Sequence, residues 1–175
     1  MKFNFENLNE ITRELMISEI NSDNEKERLY FSKRFNENGH KIYLSMLLDA
    51  VISGDEETLA ISLKTNNCFA EKEARSGKNG ITYVKIPETA NRTLAENEFN
   101  RFYIRSLALQ AITSGQTLTI YRARHSDNPR HESQIMIGVK ILPDKLLTDL
   151  RNNIGVDTAL GLPAGPNSGL SVKLT

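Results

Sequence analysis

The sequence predicts an α+β fold with a helical N-terminal half, a small β-sheet packed on one long central helix, and an extended C-terminal arm. Three observations lead there. Apolar residues recur at helical spacing through residues 7–63. A longer run at residues 94–114 has the same periodicity with start and stop signals at its ends. Short runs rich in β-branched and aromatic residues, bounded by Gly and Pro, appear only from residue 81 onward. At 175 residues the chain suits a single domain, 1–153, with 154–175 as the arm.

The first helix is expected over residues 7–20, with Asn7 as cap, Glu10 three residues on, and Leu8, Ile11 and Leu15 sharing a face. Residues 21–38 are polar but carry Leu29, Tyr30, Phe31 and Phe35, which are costly to leave in water, so they read as a packed connector. A helix over 41–53 follows, with Gly54 placed to end it in the left-handed conformation. Asp55 is a good cap for a third helix through Leu63, and Glu56 and Glu57 suit the positive end of its dipole. Residues 64–80 read as a loop, and 81–86 as a strand closed by Pro87.

The central helix, 94–114, is marked by a capping box of Thr93 and Glu96 and by Gly115 at its end; its stripe includes Phe99, Phe102, Tyr103, Leu107 and Ile112. Arg101 and Arg105 lie one turn apart on it, behind Glu96 and Glu98, a spacing that predicts ordinary pairing on the helix surface. Strands are expected at 117–123 and 135–141, and a short helix at 144–152 after Pro143.

Charge and composition narrow the function classes. Basic and acidic residues balance at 22 each, so direct nucleic-acid binding, which draws on a basic surplus, is disfavoured. Cys68 is the single cysteine, expected as a small buried apolar residue, and no cysteine-based zinc site can form within one chain. The first residues acquire acidic side chains at once and argue against a secretory leader. No apolar run approaches the about 18 residues of a membrane span, so no membrane partner is expected.

No nucleophile elbow and no phosphate-binding glycine loop is present, so no catalytic residue, cofactor or metal is assigned. His125, His131 and Glu132 share one segment without matching a metal-ligand spacing. Arg122, Arg124 and Arg130 crowd a segment around Asp127-Asn128-Pro129 and have two readings. They can bind an anion, a nucleotide or an acidic partner through their guanidinium forks, or they can pin a turn by pairing within the chain. Tyr121-Arg122-Ala123 is similar to the strand arginine motif of ADP-ribosyltransferases, which implies nucleotide phosphates as ligand. The Glu/Gln-x-Glu pair of that family does not follow this strand.

After Asn153 the chain is almost uncharged yet apolar, with Leu160, Leu162, Pro163, Pro166, Leu170, Val172 and Leu174 among its turns. Such a segment should lie against something, either its own domain or a neighbouring subunit to whose sheet edge the last residues add as a strand, and on the second reading these residues are the expected partner-binding set.

Residues 91–105 (NRTLAENEFNRFYIR), 121–133 and 153–174 together resemble an uncharacterised family associated with tailed-phage and prophage genomes near virion structural genes. The resemblance implies a virion component assembled in the host cytoplasm: a capsid decoration protein, a neck part or a head-to-tail connector, in contact with its own copies or other virion proteins. It implies no catalytic activity.

Overall fold

The computed structural model describes residues 2–78, 80–155 and 168–175. It is an α+β structure in which helices α1 (Glu10–Glu25), α2 (Glu37–Ser53) and α3 (Glu56–Thr65) precede a hairpin of β1 (Lys72–Gly77) and β2 (Gly80–Lys85). The long helix α4 (Ala90–Ser114) follows, then β3 (Leu118–Arg122), α5 (His131–Ile135), β4 (Lys140–Ile141), α6 (Pro143–Asn152) and β5 (Leu170–Leu174). Two antiparallel sheets result, the hairpin β1-β2 and a three-stranded sheet of order β4-β3-β5. Among the described residues no helix is long and apolar enough to cross a membrane.

Helix α4 is the axis of the core. It packs against α1, α3, α6 and the three-stranded sheet, so it is covered on nearly every side: Phe99, Phe102, Tyr103, Leu107 and Ala111 are buried together with Glu96, Glu98, Arg101 and Arg105. It begins at Ala90, one turn earlier than its expected capping box, which places Thr93 and Glu96 inside the helix. Gly115 ends it at φ 71°, the left-handed conformation that glycine adopts without a Cβ penalty. Ile112, expected on the buried stripe, is 42% exposed.

The helical layer departs from expectation in phase. Asn9, not Asn7, caps α1, accepting from the Thr12 N–H at 3.0 Å. Ile11 faces solvent, while Thr12, Met16, Glu19, Ile20 and Asp23 face inward. Two acidic side chains are on the buried face because Arg105 meets them: its Nε donates to Glu19 Oε2 at 2.7 Å and its Nη2 to Asp23 Oδ1 at 3.0 Å. Arg151 of α6 reaches the same Glu19 at 3.0 Å. Burial alone would raise the Glu19 carboxyl, but Arg151 and Arg105 hold it below its ordinary value. Arg101 and Arg105 are therefore interior groups, contrary to the surface pairing that their spacing predicts.

Asp55 caps α3 as expected, accepting from Thr58 N–H at 3.0 Å. Gly54 ends α2 at φ −121°, outside the left-handed region; a Cβ there would come within 2.7 Å of Thr58 Oγ1, so close approach explains the glycine. Cys68 is buried. The strand expected over 135–141 is reduced to β4, Lys140–Ile141: Ile135 ends helix α5, and Gly138 at φ 84° turns the chain into the two-residue strand.

Candidate interaction surface

Of the arginines read as an anion site, Arg122 ends strand β3 and Arg124 lies two residues beyond it. Arg122 Nη1 donates to the Ser168 carbonyl at 2.8 Å, and Arg124 lies 3.7 Å from Glu96 of α4 and over the Phe3 ring. Arg130 is exposed at the start of α5 and does not join them. Two of the three are thus engaged within the chain, the pinning reading, although Arg122 Nη2 is buried without a hydrogen-bond partner among the described residues. His125 pairs with Asp127 at 3.1 Å on the surface, and among the described residues no cluster of metal-ligating side chains is present.

The terminal strand corrects the expectation of an outward arm. β5 pairs antiparallel with β3 from Leu118↔Leu174 to Arg122↔Leu170, within this chain. Leu170 and Val172 are 1% and 0% exposed in the core, and Leu174 is half-buried against it. The outer edge of β5 is occupied too: Asn100 Nδ2 donates to the Leu170 carbonyl at 2.9 Å, and the Leu174 N–H donates to Asn7 Oδ1 at 3.1 Å. With its apolar side chains buried and its outer edge partly taken by Asn100 and Asn7, β5 is bound into its own subunit. Leu160, Leu162, Pro163 and Pro166 lie outside the described residues.

A different surface is open. The β1-β2 hairpin was expected as loop plus strand; the missed strand, Lys-Glu-Ala-Arg-Ser-Gly, has little β propensity of its own. A usable signal is the Gly77 and Gly80 pair that brackets two polar residues next to a β-branched run. At its base the hairpin is held firmly. The Ala70 N–H donates to the Arg34 carbonyl at 2.9 Å, Phe35 and Phe69 form a bridge with ring centroids 5.1 Å apart, and the Ile86 N–H donates to the Glu71 carbonyl at 3.0 Å.

Side chains alternate across a strand pair, so the register divides the hairpin into two faces. One holds Glu73, Arg75, Thr82 and Val84, with Glu73 gripped by Arg34 at 2.6 and 3.0 Å and by Arg75 at 2.9 Å. Hydrogen bonds from Arg34 and then Arg75 lower the Glu73 carboxyl to about 2, so this tether is ionised at any ordinary pH. The other face holds the cross-strand pairs Lys72↔Lys85, Ala74↔Tyr83 and Ser76↔Ile81. Ile81 is 68% and Tyr83 72% exposed, among the most exposed large apolar side chains of the molecule.

Two lysines directly opposite one another destabilise a strand pair, and the only relief within the described chain is Glu88, 3.1 Å from Lys85. Fully burying an Ile or a comparable side chain stabilises by about 1.5–3 kcal/mol, so covering Ile81 and Tyr83 would contribute roughly 2–4 kcal/mol. Alone that corresponds to weak association, since a millimolar Kd is already about 4 kcal/mol. It becomes effective when many such contacts form at once.

Comparison with protein-family models, with curated proteins and with solved structures gives no match.

Proposed function

We propose that this chain is a structural assembly protein of a tailed-phage virion, in a decoration, neck or head-to-tail connector position, and that it works through protein–protein contacts without catalysing a reaction. The observation that carries the assembly reading is the hairpin. A rigidly based two-stranded arm presents Ile81 and Tyr83 to solvent between lysines, although an isolated hairpin is marginal in water. Such a face gains from a covering subunit, because Tyr83 and Ile81 are the two most exposed large apolar side chains among the described residues. The virion context is supported by the resemblance of residues 91–105, 121–133 and 153–174 to a phage-associated family.

In particles assembled with an Ile81→Ser/Tyr83→Ser chain, quantitative mass spectrometry is expected to show at least a tenfold loss of this protein, while its melting temperature stays that of the wild type. Normal incorporation of the folded variant would refute the reading.

One observation favours an alternative, an anion- or nucleotide-binding module at Arg122, Arg124 and Arg130: the buried Nη2 of Arg122, which has no hydrogen-bond partner among the described residues. Nucleotide-dependent thermal stabilisation that disappears in Arg122→Lys would support it; no shift with any nucleotide dismisses it.

A further inference from the structure

We propose that the occupant of the hairpin face is a second copy of this chain, contacting it through the end of its own helical layer where α1 begins and α2 stops. The inference rests on the reading of the hairpin as an interaction surface and adds the identity of the partner.

The hairpin strands and their turn carry four basic residues, Lys72, Arg75, Lys78 and Lys85, against one acidic residue, Glu73, which is already held by Arg34 and Arg75. Among the described residues Lys72 has no ion-pair partner. A matching surface should therefore offer exposed apolar side chains flanked by free carboxylates.

The α1–α2 end has both. Arg13 ties the first turn of α1 to the last turn of α2, its Nη1 donating to the Val51 carbonyl at 2.5 Å and its Nη2 to the Gly54 carbonyl at 3.0 Å. This brings Ile11, 59% exposed, and Ile52, 56% exposed, to the same end of the layer. Glu10 and Glu14 flank Ile11 on α1, and Asp49 lies one turn before Ile52 on α2; all three are exposed, and none forms an ion pair among the described residues. Arg13, the basic residue nearest to them in α1, is spent on backbone carbonyls. The chain thus carries an apolar hairpin face with basic edges and a helical end whose exposed isoleucines have acidic neighbours, which allows a molecule of zero net charge to be self-complementary. Because the two faces are different, the contact is head-to-tail and generates rings or filaments, not a closed two-fold dimer.

Charge exchange between full-length chains tests this. Sedimentation equilibrium at low salt should show the average mass of the wild type rising with concentration. Lys72→Glu/Lys85→Glu and Glu10→Lys/Glu14→Lys should each associate at least tenfold more weakly on their own. An equimolar mixture of the two variants should recover the wild-type association, because each hairpin then meets a helical end of opposite charge. A wild type that stays monomeric throughout, variants that associate like the wild type, or a mixture that fails to recover would each overturn the proposal. If the wild type is monomeric while Ile81→Ser/Tyr83→Ser still drops out of particles, the hairpin remains an interaction surface and only its assignment to a second copy fails.

Discussion

Replacing Leu170 with alanine distinguishes a structural strand from an outward arm. Leu170 is 1% exposed, part of the main core cluster, and opposite Arg122 in the sheet. Truncating a fully buried leucine removes its transfer free energy and leaves a cavity that the surroundings fill only partly, together about 2–5 kcal/mol. The higher half of that range is favoured here, because the strand edge is fixed by Asn100 and Asn7 and cannot collapse freely inward. For a chain of this length each kcal/mol corresponds to about 2–4 °C in melting temperature, so a drop on the order of 10 °C is expected. Urea unfolding followed by circular dichroism should show an earlier midpoint with an unchanged slope. Ile135→Ala, at a site 60% exposed, serves as the control and should change stability by less than about 0.5 kcal/mol. A Leu170 variant as stable as that control would refute the placement of the terminal strand in the core.

Arg105→Met should cost about 3–5 kcal/mol in the same urea titration, because it strands Asp23, and partly Glu19, as buried carboxylates without their main partner; a loss below about 1 kcal/mol would contradict the ion network. Glu56 gives a pH prediction. Burial raises its carboxyl above the ordinary 4.5, with the Phe3 N–H donating to Oε1 at 2.7 Å and Oε2 without a partner among the described residues. A carboxyl raised in the folded state binds its proton more tightly there than when unfolded, so its contribution to stability grows as pH falls from its raised value toward 4.5 and is lost above it. Glu56→Gln keeps an acceptor for Phe3 and removes the titration, so its melting temperature should depend less on pH between 4.5 and neutral than that of the wild type. An unchanged slope would argue against a strained Glu56.

The features legible in the sequence are those set by local chemistry. Asp55 as a cap, Gly115 as a stop, Pro143 at the start of α6 and the β-branched run of β3 all act through a few neighbouring residues, and the structure has each of them. What was misread depends on distant partners. The phase of α1 follows from Arg105, some eighty positions later, which turns Glu19 and Asp23 inward against the apolar pattern. The all-round burial of α4 erases the polar face that periodicity looks for. β5 looked like an arm because its partner β3 lies about fifty residues away and nothing in Leu170–Leu174 names it. The hairpin face is a register effect: Ile81 and Tyr83 share a side only once β1, itself unpromising as a strand, is paired with β2.

Assembly through the hairpin requires that this face be covered in the particle and bare in the free chain. Hydrogen exchange compared between the free chain and purified assemblies reads this at the backbone of residues 72–85. Strong additional protection in those residues, with Leu118–Arg122 and Leu170–Leu174 protected equally in both states, is the predicted result. Identical exchange of the hairpin in the two states would contradict it.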